Sequence, residues 1–162
     1  MTYKKFIESY KNADKAKKSA LIKKHMVNDY LPYQKKIAEA KRIVNFSCYE
    51  KIDDKKVYMQ NSPLAYMLFS ICIIQDYTDI TWDTEKESVD VFNEFDKSGA
   101  LDEIIASIPK KEYETFSAVL NMVRDDEYEN FRSIVGFLDT KADAVNILLK
   151  ELTDLLEKNQ IK

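Results

Sequence analysis

The sequence predicts an all-α protein, a single-domain bundle of about six helices with a short hairpin or extended segment near residues 50–60. Apolar residues recur at helical spacing along most of the chain, and strong helix formers are plentiful. Glycine occurs only twice in 162 residues, at Gly99 and Gly136, where average usage of about 7% would give roughly eleven. Hairpin-rich folds, phosphate-binding loops and nucleophile elbows need clustered glycines, so these classes are nearly excluded.

The length of the chain favours one domain over two. A chain of 162 residues and 19.0 kDa can bury one sizeable core but is marginal for two. Its 45% apolar and 33% charged residues argue against disorder and against a disulfide scaffold. We therefore expect one helical domain over residues 1–162.

The N-terminal elements follow from lysine-rich helical patterns and a proline. Residues 3–10 predict a helix, which continues through Lys24 unless residues 12–14 break it. Pro32 opens the next helix, over residues 33–46, because a missing N–H is harmless in the first turn. One apolar stripe on that helix consists of Ile37, Ala40, Val44 and Cys48.

Residues 49–61 change character and precede the most apolar helix. A charged turn followed by alternating residues predicts the hairpin or extended segment. Asn61 or Ser62 is a natural N-cap and Pro63 a natural first helical residue. The helix over residues 64–77 is apolar on nearly all faces, which is typical of a buried central element.

Glycine and proline delimit the C-terminal helices. We expect a helix over residues 85–95, a left-handed cap at Gly99 and a short helix over 101–108. Pro109 opens a long helix with the apolar stripe Phe116, Leu120, Val123, Phe131, Ile134 and Leu138. The last helix packs within the chain or against a partner subunit through Val145, Leu148, Leu149, Leu152, Leu155 and Leu156.

The net charge of −3 conceals a strong asymmetry. Residues 1–56 contain 15 Lys and Arg against 7 Asp and Glu, a net charge of +8, whereas residues 57–162 contain 10 against 21, a net charge of −11. This division suits mutual attraction within one fold, docking of the basic part on an acidic protein surface, or contact with nucleic acid. All three interpretations stay open at this point.

Two groups of charged residues are the candidate partner-binding sites. The basic group has the spacing i, i+4, i+7 and consists of Lys11, Lys15 and Lys18. The second group interrupts the stripe of the long helix and consists of Arg124, Asp125, Asp126, Glu129 and Arg132. The alternatives are a solvated, lysine-coated helix for the first group and a salt-bridged surface turn for the second. Lysine, unlike bidentate arginine, suits phosphate attraction better than base reading.

The residues needed for catalysis or metal binding are sparse. His25 is the one histidine and lies among lysines, which disfavour a further cation, and no Glu-x-x-His pair accompanies it. Asp76, Asp79 and Asp83 do not match a calcium-loop spacing and are expected at helix ends and caps. We therefore expect no enzyme activity, no cofactor, no catalytic residue and no metal site.

Targeting features are also lacking in the sequence. The N-terminus has no apolar region after its lysines, so we expect no signal peptide. The longest apolar run, residues 64–74, is too short to span a membrane and is interrupted by Ser70. Cys48 and Cys72 stand alone among apolar neighbours, which predicts buried, reduced thiols.

Three stretches carry a resemblance: QDYTDI (75–80), SGALDEIIASIPKKEYETF (98–116) and VRDDEYENFRSIVGFL (123–138). Over about residues 57–140 the chain resembles small, poorly characterised proteins of phages and prophages of low-GC Gram-positive bacteria, associated with the virion structural gene block. The resemblance implies binding to other phage proteins at the capsid, neck or tail, and location in the virion or the host cytoplasm.

The leading hypothesis is a non-enzymatic phage structural or assembly protein that acts by protein–protein binding. Its partners are then other phage proteins or a second copy of the chain, with nucleic acid less favoured and no membrane. The alternative is a phage-encoded regulator or host-defence inhibitor that binds a host protein or nucleic acid.

Overall fold

The computed structural model describes residues 1–52, 55–84, 86–133, 136, 141–142, 145–147 and 149–150. The described part of residues 1–133 is helical apart from one hairpin and short connections, which confirms the all-α class. Its elements are α1 (Tyr3–Lys11), α2 (Lys15–His25), α3 (Tyr33–Ser47), β1 (Tyr49–Ile52), β2 (Lys55–Tyr58), α4 (Ser62–Tyr77), α5 (Ser88–Ser98), α6 (Ala100–Ser107) and α7 (Lys110–Arg132). Contacts divide the chain into two compact units, Met1–Arg124 and Asp125–Lys162, and the expectation of a single domain stays a prediction.

The lysine-rich N-terminal segment forms two helices. The chain leaves helical geometry after Lys11, and α2 begins behind Asp14, whose carboxylate accepts a hydrogen bond from the Lys17 N–H at 2.9 Å. This is the capping role that aspartate performs at helix starts. The break means that Lys11, Lys15 and Lys18 do not lie on one continuous helix.

Helix α3 and the hairpin form where the sequence predicts them. The buried positions of α3 include Ala40, Ile43 and Val44. The antiparallel hairpin pairs Tyr49 with Tyr58, and their rings meet edge to face with centroids 5.5 Å apart. Aromatic pairs across two strands stabilise such short hairpins.

Helix α4 is the central element, as its composition predicts. The Asn61 side chain accepts a hydrogen bond from the Leu64 N–H at 3.0 Å and so caps the helix start. Residues 69–74, in the C-terminal half of α4, are buried without interruption, because α4 packs against α3, α5 and α6. A helix surrounded in this way has no face that requires polar side chains.

Helices α5 and α6 meet at Gly99. Helix α5 begins at Ser88, three residues later than predicted, because a turn precedes it: the Glu87 N–H donates to the Asp83 carbonyl at 2.8 Å, and the Asp83 N–H donates to the Glu87 carboxylate at 3.1 Å. Gly99 has φ 75° and ends α5, which confirms the predicted left-handed cap.

The core of the first unit gathers side chains from all seven helices, α1 to α7. The Phe6 and Phe95 rings stack with centroids 5.4 Å apart. Backbone bridges from Thr2 to Thr81 and from Met26 to Thr78 attach the segment after α4 to both N-terminal helices.

The structure describes only part of the two apolar stripes that the sequence predicts on the C-terminal helices. Phe116 is buried, whereas Phe131, at the end of α7, is 46% exposed. Residues 145–147 and 149–150 are helical, with Val145 and Leu149 about half exposed. Ile134, Leu138, Leu148, Leu152, Leu155 and Leu156 lie outside the described residues.

A buried ion pair joins three helices and the α2–α3 connection. Lys36 Nζ lies 2.7 Å from Glu112 Oε2 and donates to the Leu31 carbonyl at 2.9 Å. Glu112 Oε1 accepts from the Leu31 N–H at 2.8 Å and from the Tyr77 hydroxyl at 2.7 Å. The Lys36 ammonium also lies over the Tyr30 ring, 4.4 Å from its centroid. Both charged groups are thus buried, and hydrogen bonds within the fold replace their hydration.

The surroundings of the buried ion pair shift the pKa values of Glu112 and Tyr77. Burial alone would raise the pKa of Glu112, but the hydrogen bonds from Lys36, Tyr77 and Leu31 outweigh burial and lower that pKa. The pKa of Tyr77 is raised, first by burial and then by its hydrogen bond to Glu112. The structure therefore holds Glu112 as a carboxylate and Tyr77 as a neutral donor.

We expect Gly99→Ala to lower the free energy of unfolding by about 1 to 2 kcal/mol, because a left-handed backbone is strained for a residue with a Cβ atom. No atom lies within 4 Å of that Cβ, so the loss reports backbone strain and not a clash. Gly99→Asn is the matched control, since asparagine tolerates this conformation better. Urea unfolding measures both variants, and equal losses for Ala and Asn would contradict the explanation.

We expect Lys36→Met to lower the free energy of unfolding by about 3 to 5 kcal/mol, because it leaves the Glu112 carboxylate buried without a counter-ion. The double variant Lys36→Met/Glu112→Gln should lose less than Lys36→Met alone, since its neutral amide oxygen still accepts hydrogen bonds from Leu31 and Tyr77. Chemical unfolding of the unchanged chain, both single variants and the double variant at one pH measures the difference. A double variant as unstable as the sum of its two single variants would show that the pair does not act as a unit.

Candidate interaction surface

Helix α2 carries the most one-sided charge among the helices that the structure describes in full. Its sequence KAKKSALIKKH contains five lysines and no acidic residue. The cationic surface of α2 consists of its four exposed lysines, and we call it the lysine face: Lys15, Lys17, Lys23 and Lys24. The face points outward because α2 buries only Ile22 and His25, a narrow apolar edge that leaves the rest of the helix in water.

The lysines of α2 differ in their partners. Lys17 pairs with Asp14 at 3.1 Å, and the Lys18 ammonium lies 4.7 Å from the centroid of the Tyr10 ring. In the part of the chain that the structure describes, Lys15, Lys23 and Lys24 have no ion pair or side-chain hydrogen bond. Three ammonium groups are therefore available to an external anion.

Lys11, predicted with Lys15 and Lys18, has a different role. Its ammonium lies 2.5 Å from Glu94, and Lys4 lies 2.9 Å from Glu87, so α1 is joined to α5 and to the turn before it. The hydrogen bond from Lys11 lowers the pKa of Glu94. The basic and acidic parts of the chain thus attract each other within the fold at this point, in agreement with one interpretation of the charge asymmetry.

The second predicted group divides between the two compact units. Arg124, in the first unit, borders a cleft of about 280 Å³ with Tyr66 and Tyr113. The remaining residues lie on the last turns of α7, in the second unit and exposed: Asp125, Asp126, Glu129 and Arg132. The Arg132 guanidinium lies over the Tyr128 ring, 5.4 Å from its centroid.

His25 is held in the fold by an aspartate distant in sequence. His25 Nδ1 lies 2.7 Å from Asp79 Oδ1, and the imidazole meets the Phe6 ring edge to face, with centroids 5.7 Å apart. Its Nε2 is buried and has no hydrogen-bond partner among the described residues. Sequence reasoning missed this pair because nothing local to His25 points to a residue 54 positions away.

A polar cluster surrounds Cys72 between α3 and α4. The thiol donates to Glu39 Oε2 at 3.2 Å and accepts from the Arg42 guanidinium at 2.9 Å. Burial raises the pKa of Cys72 to about 12, so the thiol stays protonated and is a poor nucleophile. Cys48 and Cys72 are both free and buried, which confirms the prediction for the cysteines.

The acidic set of the sequence is dispersed by the fold. Lys35 Nζ lies 2.6 Å from Asp76 Oδ1, Asp79 contacts His25, and Asp83 belongs to the turn before α5. Within the described residues, no group of three or more histidine, cysteine and acidic side chains could hold a metal ion.

The first compact unit is helical apart from one hairpin and short connections and carries one basic helix, α2, on its surface. No protein-family model matches the chain, and neither a curated protein nor a solved structure matches it. No helix among the described residues is long and apolar enough to cross a membrane.

We expect the stability of Asp76→Asn, relative to the unchanged chain, to increase as the pH rises from about 3 to about 7. Burial raises the pKa of Asp76, and Glu39 adds to that effect, whereas Lys35 and Arg42 oppose it. A carboxyl with a raised pKa in the folded state binds its proton more tightly there, so ionisation costs stability as the pH rises. The neutral amide avoids that cost. Urea unfolding at several pH values measures the difference, and a decrease would show that the ion pair with Lys35 dominates.

Proposed function

We propose that this chain is a non-enzymatic phage protein, a virion component or assembly partner, that binds an acidic surface of another phage protein through its lysine face. The observation that carries the proposal is the charge of α2: five lysines without an acidic residue, three of them without a partner in the described structure. The resemblance to proteins of the virion structural gene block supports the phage setting.

Electrostatic complementarity explains what such a face contributes. Exposed charges on one side of a protein steer association and set the orientation of the partner. Each exposed ion pair adds little affinity by itself, at most about 1 kcal/mol. The lysine face would therefore select and orient an acidic partner, while packing around it provides the remaining affinity.

A protein partner fits the surroundings of α2 better than nucleic acid does. Asp102 and Glu103 lie in the first turn of α6, which packs against α2. Carboxylates next to the lysines repel a phosphate backbone, whereas a protein surface can present charges of both signs. Lysine also lacks the planar, bidentate geometry that base recognition favours.

The test replaces the three unpartnered lysines in the phage that encodes the chain. We expect mass spectrometry to find the unchanged chain in purified virions or assembly intermediates. Lys15→Glu/Lys23→Glu/Lys24→Glu should reduce that amount about tenfold, because reversed charge repels an acidic partner. The control Lys5→Glu/Lys41→Glu/Lys111→Glu changes the net charge equally at exposed lysines of other helices and should have little effect.

Two outcomes would overturn the proposal. Absence of the unchanged chain from both virions and assembly intermediates would remove the structural role. A DNA mobility shift at low salt that is lost in Lys15→Glu/Lys23→Glu/Lys24→Glu would instead assign the lysine face to nucleic acid.

A further inference from the structure

A groove of about 560 Å³ lies between α2 and α6. One wall comes from α2, where Lys15, Ser19 and Lys23 are four residues apart and so lie above one another on one helix face. The remaining lining residues are Met26, Glu103, Ala106 and Ser107. The groove therefore has a cationic wall, hydroxyl groups on both sides and a small apolar patch.

The charges of this groove do not cancel. Lys15 and Lys23 are exposed and without an ion-pair partner in the described structure. Glu103 adds one negative charge on the α6 side of the groove, and the pKa of the buried Tyr10 is raised to about 12, first by burial and then by its interaction with Glu103. The two lysines of the α2 wall thus outnumber the single carboxylate of the opposite wall and can bind carboxylates of a partner.

We infer that this groove binds an acidic peptide segment of the partner protein, with carboxylates on Lys15 and Lys23 and a small apolar side chain against Met26 and Ala106. The inference rests on the proposed function and specifies the site and the chemistry of its partner. Eight helical residues separate the two lysines by about 12 Å. An extended segment covers about 13 Å in four residues, so acidic residues at i and i+4 match the two ammonium groups.

The lining of the groove favours this occupant. The unbranched thioether of Met26 adapts to different apolar side chains, and Ala106 leaves room for one. Ser107 Oγ donates to the Glu103 carbonyl at 2.7 Å, which leaves the lone pairs of its oxygen to accept a backbone N–H of the segment. A phosphate backbone carries a charge at every nucleotide and would be repelled by Glu103 on the opposite wall more than a peptide with two acidic residues.

The probe is a fluorescein-labelled synthetic peptide with glutamates four residues apart and alanine or leucine between them. Fluorescence anisotropy with the full chain at about 50 mM salt measures its affinity. The same peptide with glutamine for glutamate should bind about tenfold more weakly, because it cannot pair with the lysines.

Matched variants separate the groove from general charge attraction. Lys15→Ala/Lys23→Ala should weaken binding about tenfold, whereas Lys5→Ala/Lys41→Ala, which removes the same charge elsewhere, should leave it nearly unchanged. Ala106→Trp fills the groove without changing its charge and should also weaken binding about tenfold. Ala106 is exposed, so the substitution does not disturb the core. Ala106→Glu, which adds a carboxylate to the groove lining, should weaken binding as well. Circular dichroism confirms the fold of each variant.

Any of four results would overturn the inference. The acidic peptide could fail to bind at all, the two lysine pairs could contribute equally, or Ala106→Trp could bind as well as the unchanged chain. The last two would indicate diffuse attraction by the lysine face and leave the proposed function intact, which the virion experiment tests separately. An oligonucleotide that outcompetes the peptide would likewise assign the groove to a polyanion other than protein.

Discussion

The buried pair of Lys36 and Glu112 is the interaction on which the arrangement of α3, α4 and α7 depends. A lysine and a glutamate lose strong hydration when they leave water, and the interior restores it only if every donor and acceptor finds a partner. Leu31 and Tyr77 supply those partners, so the pair requires the α2–α3 connection and the end of α4 to lie at defined positions. Apolar packing alone would tolerate small shifts of these helices, whereas this hydrogen-bonded set does not.

Ion pairs within the fold also determine which lysine side chains remain at the surface without a carboxylate partner. Lys4, Lys11, Lys35 and Lys36 each meet a carboxylate of a distant segment, so much of the basic N-terminal part is neutralised within the fold. Helix α2 differs because its narrow apolar edge packs against α6 while most of its lysines remain in water. Among the described helices, α2 therefore has the most lysines without a carboxylate partner, although lysines are spread over the first 56 residues of the sequence.

Much of the fold could be predicted because its signals are local. Asn61 and Pro63 mark the start of α4, Gly99 marks the end of α5, and uniform apolarity marks α4 as the central helix. The predicted start of α5 was three residues too early. A turn precedes the helix there, and it depends on the Glu87 carboxylate, which accepts a hydrogen bond from the Asp83 N–H of the same turn. For the candidate site, the lysine composition of α2 was evident, but the assignment of Lys11 to the same stripe was not supported, since the break at Asp14 separates the helices.

The sequence by itself determined the helical class, the buried character of α4, the caps and the basic character of the N-terminal part, because each depends on neighbours within a few residues. Only the tertiary structure decided which charged side chains form ion pairs with distant segments and which remain exposed without such a partner. Glu112 lies 76 positions from Lys36, and no periodicity links the two. The groove between α2 and α6 likewise exists only when two helices far apart in sequence pack together, because packing determines which side chains water can still reach.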